Sequence, residues 1–176
     1  STNTTGMAML LSANRGGGKV SVNTCAITGH SGDYYGGGIF VYASTNSQII
    51  IANNTIKNNH INGSSGAGIN AEAVGGTIEI RGNSISSNEA LDNYGSGIYA
   101  NVASGKITIQ ENTINDNVGY GASGVYIYTE GGETVLAENT IAHNTTTHDF
   151  SYGGGILIDD GTNQTSYIVG NGGAYA

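Results

Sequence analysis

The chain of 176 residues contains no proline, no tryptophan and one cysteine, and only 10% of its residues are charged. The single cysteine, Cys25, excludes an internal disulfide framework. Five Lys and Arg against thirteen Asp and Glu give a net charge of -8, so no basic stripe is available to bind nucleic acid. The longest apolar run, residues 7–11, is too short to cross a bilayer, which argues against membrane insertion.

The residues that are abundant favour short strands and tight turns. There are 30 glycines, and Ile, Val, Thr and Tyr occur in short runs between clusters of Gly, Asn and Ser. Branched and aromatic residues favour strands, whereas Gly, Asn and Ser favour turns. The composition therefore predicts an all-β chain that is nearly free of helix. The sequence contains no cofactor-binding motif, so we expect no cofactor.

A six-residue unit, Asn-Thr/Ser-Ile-x-x-Asn, recurs along the chain. Full copies begin at Asn54, Asn83, Asn112 and Asn139, so successive copies are 29, 29 and 27 residues apart. Weaker copies begin 29 residues before the first, at Cys25, and 32 residues after the last, at Asn171. A nearly constant period of this size is typical of solenoids, in which one small unit stacks on the next. We therefore predict a single solenoid domain over residues 1–176.

Apolar residues recur at three places in each period. Alternation at a period of two puts both members of a pair on one face of a strand. The first strand contributes Val20/Val22, Ile49/Ile51, Ile78/Ile80, Ile107/Ile109, Thr134/Leu136 and Ile168; the second contributes Ile27, Ile56, Ile85, Ile114 and Ile141; the third contributes Ile39/Val41, Ile69/Ala71, Ile98/Ala100, Val125/Ile127 and Ile156/Ile158. The pattern predicts about six coils of about 29 residues, each with three strands that pair in parallel with their copies one coil away.

The repeated asparagines are predicted to form two structural ladders. An Asn side chain carries a donor and an acceptor, so identical amides stacked one coil apart can satisfy one another. The first ladder contains Asn54, Asn83, Asn112, Asn139 and Asn171. The second contains Asn59, Asn88, Asn117 and Asn144, with His30 at its first position. Removal of an inner member should leave its neighbours unsatisfied and destabilise the fold.

Gly-rich segments precede the third strand of most coils, at residues 36–38, 66–68, 95–97 and 153–155. They are interpreted as turns rather than as a phosphate-binding loop, because no Lys-Ser/Thr pair and no helix follows them. Together, Gly-Gly/Ser-Gly-Ile and Asn-Thr-Ile-x-x-Asn resemble the repeats of right-handed parallel β-helix proteins of the pectate-lyase-like superfamily. They are also similar to the repeats of polymorphic outer membrane proteins. The resemblance extends from about residue 6 to residue 173.

The resemblance implies the architecture but not an activity. Its superfamily includes polysaccharide lyases, hydrolases, adhesins, phage tailspikes and passive surface fibres. The best candidate for a catalytic cluster is Asp159-Asp160 beside Glu130 of the preceding coil. Paired carboxylates can act as acid and base in glycoside cleavage, but Asp-Asp-Gly is also a favoured turn sequence. The turn is the preferred interpretation, so no catalytic residue is predicted and we do not expect an enzyme.

Metal binding is not indicated by the sequence. The four histidines, His30, His60, His143 and His148, lack ligand spacing with Cys or acidic residues. No Asp-x-Asp-x-Asp-Gly loop for calcium is present. We therefore predict no metal site.

Tyrosines give the clearest indication of a contact surface. Phe40, Tyr99 and Tyr126 should point outward from the third strand, and other tyrosines precede the Gly-rich turn at a similar offset. Outward tyrosines offer amphipathic surface to sugar rings or to another protein, although stacking between strands would also stabilise the sheet without a ligand. All three interpretations stay open. The candidate contact residues are Tyr35, Tyr94, Tyr99, Tyr120, Tyr126 and Tyr152.

The two ends of the chain match in the repeat. Counting from Asn171 to Ala176 and on through Ser1 to Cys25 of a second copy gives 5 + 25 = 30 residues, close to the internal period. We therefore expect the chain to associate with itself end to end, by strand addition, into an extracellular fibre or sheath. The alternatives are a carbohydrate-binding or polysaccharide-cleaving β-helix and the passenger segment of a surface adhesin. Low charge and abundant Asn, Thr and Gly favour secretion or a cell-surface location.

Overall fold

The computed structural model describes residues 8–33, 37–148, 153–161 and 164–172. Within these ranges all regular secondary structure is extended and no helix occurs. The described residues accordingly include no helical segment with the length and hydropathy needed to cross a membrane. The prediction of an all-β chain is confirmed.

Twenty short strands make up the described chain. They are β1 (Met9–Ala13), β2 (Lys19–Asn23), β3 (Ala26–Thr28), β4 (Ser31–Gly32), β5 (Ile39–Ala43), β6 (Ser47–Ala52), β7 (Thr55–Lys57), β8 (His60–Ile61), β9 (Ile69–Arg81), β10 (Ser84–Ser86), β11 (Glu89–Tyr94), β12 (Ile98–Gln110), β13 (Thr113–Asn115), β14 (Val118–Gly121), β15 (Val125–Thr129), β16 (Gly132–Ala137), β17 (Thr140–Ala142), β18 (Thr145–Thr146), β19 (Ile156–Asp160) and β20 (Gln164–Val169). Most are immediately preceded or followed by Gly or Asn, which favour the turns between them.

The strands form three parallel sheets. The long sheet has ten strands, namely β1, β2, β5, β6, β9, β12, β15, β16, β19 and β20. The ladder sheet consists of β3, β7, β10, β13 and β17, and the short sheet consists of β4, β8, β11, β14 and β18. Each strand pairs with its equivalent one coil away, as β10 does with β7 and β13. The molecule is therefore a parallel β-solenoid, as predicted.

The assignment of strands to sheets differs from the predicted one. The predicted third strand of one coil and first strand of the next lie in the same sheet, and they are continuous in β9 and β12. The short sheet lies between the predicted second strand and the Gly-rich turn, where no strand was predicted. Its strands can be as short as Ser31–Gly32 and Thr145–Thr146, so they carry no apolar alternation that sequence periodicity could detect.

The structure has about five coils, whereas about six were predicted. The ladder sheet and the short sheet each contain five strands. At the two ends of the described chain mainly the long sheet continues, through β1 and through β19 and β20, and Gly172 adds one bridge to Thr140. The outermost predicted coils are therefore incomplete among the described residues.

The core consists of columns of stacked aliphatic side chains. Ile49, Ile78 and Ile107 are register partners in the long sheet, and Ile85 is paired on both sides in the ladder sheet. These isoleucines are at most 1% exposed. Burial of one such side chain contributes roughly 1.5–3 kcal/mol. The predicted inward columns are confirmed, because the observed register aligns the same residues.

Both predicted Asn ladders are confirmed. In the first, Nδ2 of each Asn donates to Oδ1 of the Asn one coil later at 2.9–3.0 Å, through Asn54, Asn83, Asn112, Asn139 and Asn171. The second runs in the same way at 2.9–3.0 Å through Asn59, Asn88, Asn117 and Asn144. The backbone N–H of His30 donates to Asn59 Oδ1 at 3.1 Å, so His30 begins the second ladder through its main chain. The ladders fix the register of the turns beside the ladder sheet.

A left-handed backbone conformation precedes each ladder residue. The residues before the first ladder include Asn53, Gly82 and Glu111, with φ of +55°, +62° and +57°. Those before the second include Asn58 and Ser87, with φ of +55° and +53°. Residues with a Cβ resist this conformation unless the surrounding structure holds them in it. The stacked amides supply that restraint, since each one bonds to the neighbouring coil.

A second bend crosses the long sheet at a column of glycines. Gly76, Gly105 and Gly132 have φ of +103°, +137° and +140°. A Cβ on Gly105 would lie only 2.1 Å from the carbonyl oxygen of Gly76. The glycines therefore permit both the conformation and the close approach of neighbouring coils. They divide the long sheet into two halves.

Candidate functional site

The outer face of one half of the long sheet carries two columns of mainly aromatic and polar side chains. This half comprises β1, β5, β15, β19 and the first residues of β9 and β12. From β5 to β19, the first column contains Phe40, Asn70, Tyr99, Tyr126 and Leu157, and the second contains Tyr42, Glu72, Asn101, Tyr128 and Asp159. Unlike the inward columns, the second column holds a different residue type in most coils. The outer face thus presents a different combination of side chains on each coil.

A shallow groove of about 200 Å³ follows the second column. Its lining includes Tyr42, Glu72, Val74, Asn101, Tyr128 and Glu130. These residues come from four consecutive coils, so the groove runs across the strands. Tyr42 is 37% exposed, and the Tyr128 side chain is half-buried. The groove therefore combines two aromatic rings, two carboxylates and an amide on an open surface.

A cluster of aromatic rings lies beside the groove. The ring centroids of Tyr99 and Tyr126 are 5.5 Å apart, and those of Tyr126 and Tyr94 are 5.2 Å apart. Tyr94 makes an edge contact with Tyr120 at 5.8 Å, and Tyr120 contacts the His148 ring at 4.5 Å. Such contacts contribute about 0.5–1.5 kcal/mol each beyond burial. The cluster stiffens the surface next to the groove.

Tyrosine hydroxyls are paired with acids on this surface. The Tyr126 hydroxyl donates to Asp159 Oδ2 at 3.2 Å, and the Tyr128 hydroxyl approaches Glu130 Oε1 at 3.4 Å. Burial, followed by the Asp159 carboxylate, raises the pKa of Tyr126. The Glu130 carboxylate is the main cause of the raised pKa of Tyr128. Both phenols therefore stay protonated at neutral pH and can donate hydrogen bonds.

Glu72 is the most perturbed acid of the groove. Burial raises the pKa of its carboxyl above the ordinary value, and a hydrogen bond with Asn70 partly offsets this effect. Burial also raises the pKa of Tyr99, and the Glu72 charge adds to that shift. An ionised carboxylate that is partly removed from water gains from any donor or cation placed beside it. A donor or cation beside Glu72 would therefore stabilise the ionised form of its carboxyl.

Comparison with known families supports the architecture. The sequence matches the family model described as a right handed beta helix region over residues 11–173. The chain belongs to the right-handed β-helix family. The predicted resemblance to right-handed β-helix proteins is therefore confirmed. No curated protein and no solved structure matches the chain significantly. Members of this family include both enzymes and proteins without enzymatic activity, so membership does not assign an activity.

The β-helix brings together four of the six predicted contact tyrosines. Tyr94, Tyr99, Tyr120 and Tyr126 all belong to the ring cluster. Tyr35 and Tyr152 lie outside the described residues. Phe40 occupies the outer column as predicted, but it is only 8% exposed and presents little surface. The role of these tyrosines in binding stays a prediction.

Two of the acidic candidates, Asp159 and Glu130, lie at one end of the same surface. Asp159 is the register partner of Tyr128, and Asp160 is that of Thr129. Asp159 and Glu130 are each within hydrogen-bonding distance of a tyrosine hydroxyl. These contacts orient each of the two carboxylates toward a phenol. The surface is therefore polar as well as aromatic at this end, and these contacts do not assign an acid and base pair.

Two histidines of the β-helix make cross-coil pairs with acids on other faces. His60 Nδ1 lies 2.8 Å from Glu89 Oε2, and His143 Nδ1 lies 3.8 Å from Asp116 Oδ1. Across the ranges that the structure describes, no group of three or more His, Cys, Asp or Glu residues is placed to hold a metal ion.

Apart from Glu130, sequence reasoning did not select the polar and aromatic residues that line the groove. Tyr42 and Tyr128 follow Phe40 and Tyr126 by two positions in the same strands, so strand alternation places them on the same outer face. The same offset from Asn70 and Tyr99 identifies Glu72 and Asn101. Selecting the residue two positions after each member of the first outer column would have predicted all four.

Proposed function

We propose that this β-helix binds carbohydrate in the groove on the outer face of its long sheet. The observation that carries the proposal is the placement of Tyr42 and Tyr128 in one groove with the side chains of Glu72, Asn101 and Glu130. A sugar ring has apolar faces and a rim of hydroxyls, so it is recognised by aromatic rings together with a few polar groups. The proposal includes an extracellular or cell-surface location, where polysaccharides are accessible.

The backbone of the groove supports rigid binding. Apart from Glu130, which follows β15, its side chains project from β5, β9, β12 and β15, which are paired in continuous register. Side chains on paired strands lose little freedom when a ligand binds, because their backbone is already ordered. Neighbouring strands are about 4.8 Å apart, so a groove across four coils suits an extended chain of sugars. The expected ligand is therefore an oligosaccharide.

Tyr128→Ala should weaken oligosaccharide binding by about tenfold or more, because it removes an aromatic face from the groove. Isothermal titration of oligosaccharides selected on a glycan array would measure the loss. Tyr167→Ala is the matched control, since Tyr167 is an exposed tyrosine of β20 in the other half of the long sheet. Binding that is equally affected by both substitutions, or the absence of any glycan ligand, would overturn the proposal.

A second candidate function is end-to-end self-association. Ile168 continues the inward column after Leu136, yet it is 57% exposed whereas Leu136 is fully buried. Tyr167 and Val169 beside it are also exposed. In the inner coils, the next coil covers the equivalent side chains. We propose that a second copy of the chain adds its coils here by strand pairing and thereby covers the apolar edge.

Ile168→Lys should reduce self-association, because it puts a charge on the apolar edge. Sedimentation velocity over a range of concentrations, with electron microscopy of the same samples, would measure it. Thr108→Lys places the same charge on the outer face of the long sheet and serves as the control. The candidate fails if the unsubstituted chain stays monomeric at high concentration.

A further inference from the structure

The groove is lined by acceptors and acids. Glu72 and Glu130 supply carboxylates, and Asn101 supplies an amide oxygen. Among the described residues that line it there is no Lys, Arg or His. The negative charges of an anionic ligand would lie beside two carboxylates, and no cation of the lining would offset the repulsion. The lining therefore disfavours uronic acids and other anionic sugars.

The surroundings of the groove are negative as well. The net charge of the chain is -8. Two of its five basic residues are already engaged on the other half of the long sheet, where Lys106 lies 3.0 Å from Glu133 and Arg81 lies 2.6 Å from Glu79. Asp159 adds a further carboxylate at the end of the outer column. A field of one sign attracts ligands of the opposite charge and raises their local concentration.

The aromatic rings of the groove also favour a cation. Positive groups are attracted to the faces of tyrosine rings, and Tyr42 and Tyr128 both line the groove. The carboxyl of Glu72 is partly desolvated, and this burial raises its pKa. An ammonium group beside Glu72 would stabilise the ionised form by a charge-assisted hydrogen bond. The aromatic rings and the carboxylates of the groove therefore both favour a positively charged ligand.

We propose that the groove binds a glycan with free amino groups, a polymer of the glucosamine type, in preference to its neutral N-acetylated form. This inference rests on the proposed carbohydrate-binding function. Sugar rings lie against Tyr42 and Tyr128, and their ammonium groups donate hydrogen bonds to Glu72 and Glu130. Glu72 and Tyr128 are two coils apart in one column, about 10 Å at the usual strand spacing, so the ligand spans several sugars.

The test is a calorimetric titration of the whole chain with three oligomers of equal length at slightly acidic pH. The oligomers are glucosamine, N-acetylglucosamine and galacturonic acid. We expect the glucosamine oligomer to bind about tenfold more tightly than the N-acetylated one, and added salt to weaken it. The galacturonic acid oligomer should bind most weakly.

Substitution assigns the preference to the groove. Glu72→Gln and Glu130→Gln should each reduce glucosamine binding by about tenfold and N-acetylglucosamine binding by a clearly smaller factor, so that the ratio of the two affinities falls. Glu133→Gln is the matched control, because Glu133 lies in the same sheet but outside the groove, paired with Lys106. Circular dichroism would establish that each variant is folded.

The outcomes separate the two proposals. If the neutral oligomer binds as well as the glucosamine oligomer, and Tyr128→Ala weakens both, the carbohydrate-binding function stands and the preference for amino sugars is wrong. Tightest binding of galacturonic acid would overturn the preference in the same way. If none of the three oligomers binds and no glycan on an array is retained, the carbohydrate-binding function itself fails.

Discussion

Gly105→Ala is expected to destabilise the chain by about 3–5 kcal/mol, the sum of a strained backbone conformation and an overpacked contact. Gly105 has φ of +137°, where residues with a Cβ are strained. The added Cβ would also lie 2.1 Å from the Gly76 carbonyl oxygen and 2.8 Å from its nitrogen. Because both contacts involve backbone of the neighbouring coil, neither can be relieved by moving a side chain. Chemical denaturation followed by circular dichroism would measure the loss.

Ser104→Ala provides the control for this effect. Ser104 is exposed and immediately precedes Gly105 in β12, so its substitution should change the stability by less than about 0.5 kcal/mol. Equal stability of the two variants would show that coils do not approach each other closely at this column.

Asn112→Ala is the second substitution with a large expected effect, about 3 kcal/mol or more. Nδ2 of Asn112 donates to Asn139 Oδ1 at 3.0 Å and to the carbonyl oxygen of Ile80 at 2.9 Å. Its Oδ1 accepts from both the backbone N–H and Nδ2 of Asn83, each at 2.9 Å. Truncation would leave buried groups on both neighbouring coils unsatisfied, and each costs roughly 1–3 kcal/mol. The midpoint of thermal unfolding should therefore fall by several degrees.

Asn115→Ala is the matched control on the same coil. Asn115 is only half-buried, and its register partner one coil later is Ala142, so the substitution introduces a residue that the fold already accepts there. Its unfolding midpoint should stay close to that of the unsubstituted chain. A fall as large as that of Asn112→Ala would contradict the structural role of the ladder.

The inward columns were predictable because the same contact recurs between successive copies of the repeat. Stacking equivalent strands in parallel requires that a residue meets its own copy, so alignment of the copies predicts register pairs such as Ile56 with Ile85. The Asn ladders follow for the same reason, since Asn83 and Asn112 are equivalent in the repeat. A solenoid thus converts similarity in sequence directly into contact in space.

The short sheet was not predictable in this way. Some of its strands, such as β4 and β18, have only two residues, and paired positions on neighbouring coils differ in residue type. They form because the ladder sheet and the long sheet hold the connecting segments one strand spacing apart. Backbone hydrogen bonds then pair without any requirement on the side chains. Such strands depend on the neighbouring sheets and leave no signal in the sequence.

The groove was missed because it is not repeated. The outer column of Tyr42, Glu72, Asn101 and Tyr128 changes residue type from each coil to the next. The inward columns must repeat to pack, whereas outer positions are free to differ, so a specific surface can be built on a uniform core. Departures from the repeat on an outer face are therefore the place to look for binding residues in chains of this kind.

A crystal structure of the chain with a bound glucosamine oligomer tests the central claim most directly. The account predicts sugar rings against Tyr42 and Tyr128, with amino groups within hydrogen-bonding distance of Glu72 or Glu130. A sugar chain on the ladder sheet or the short sheet, with the groove unoccupied by ligand, would contradict it.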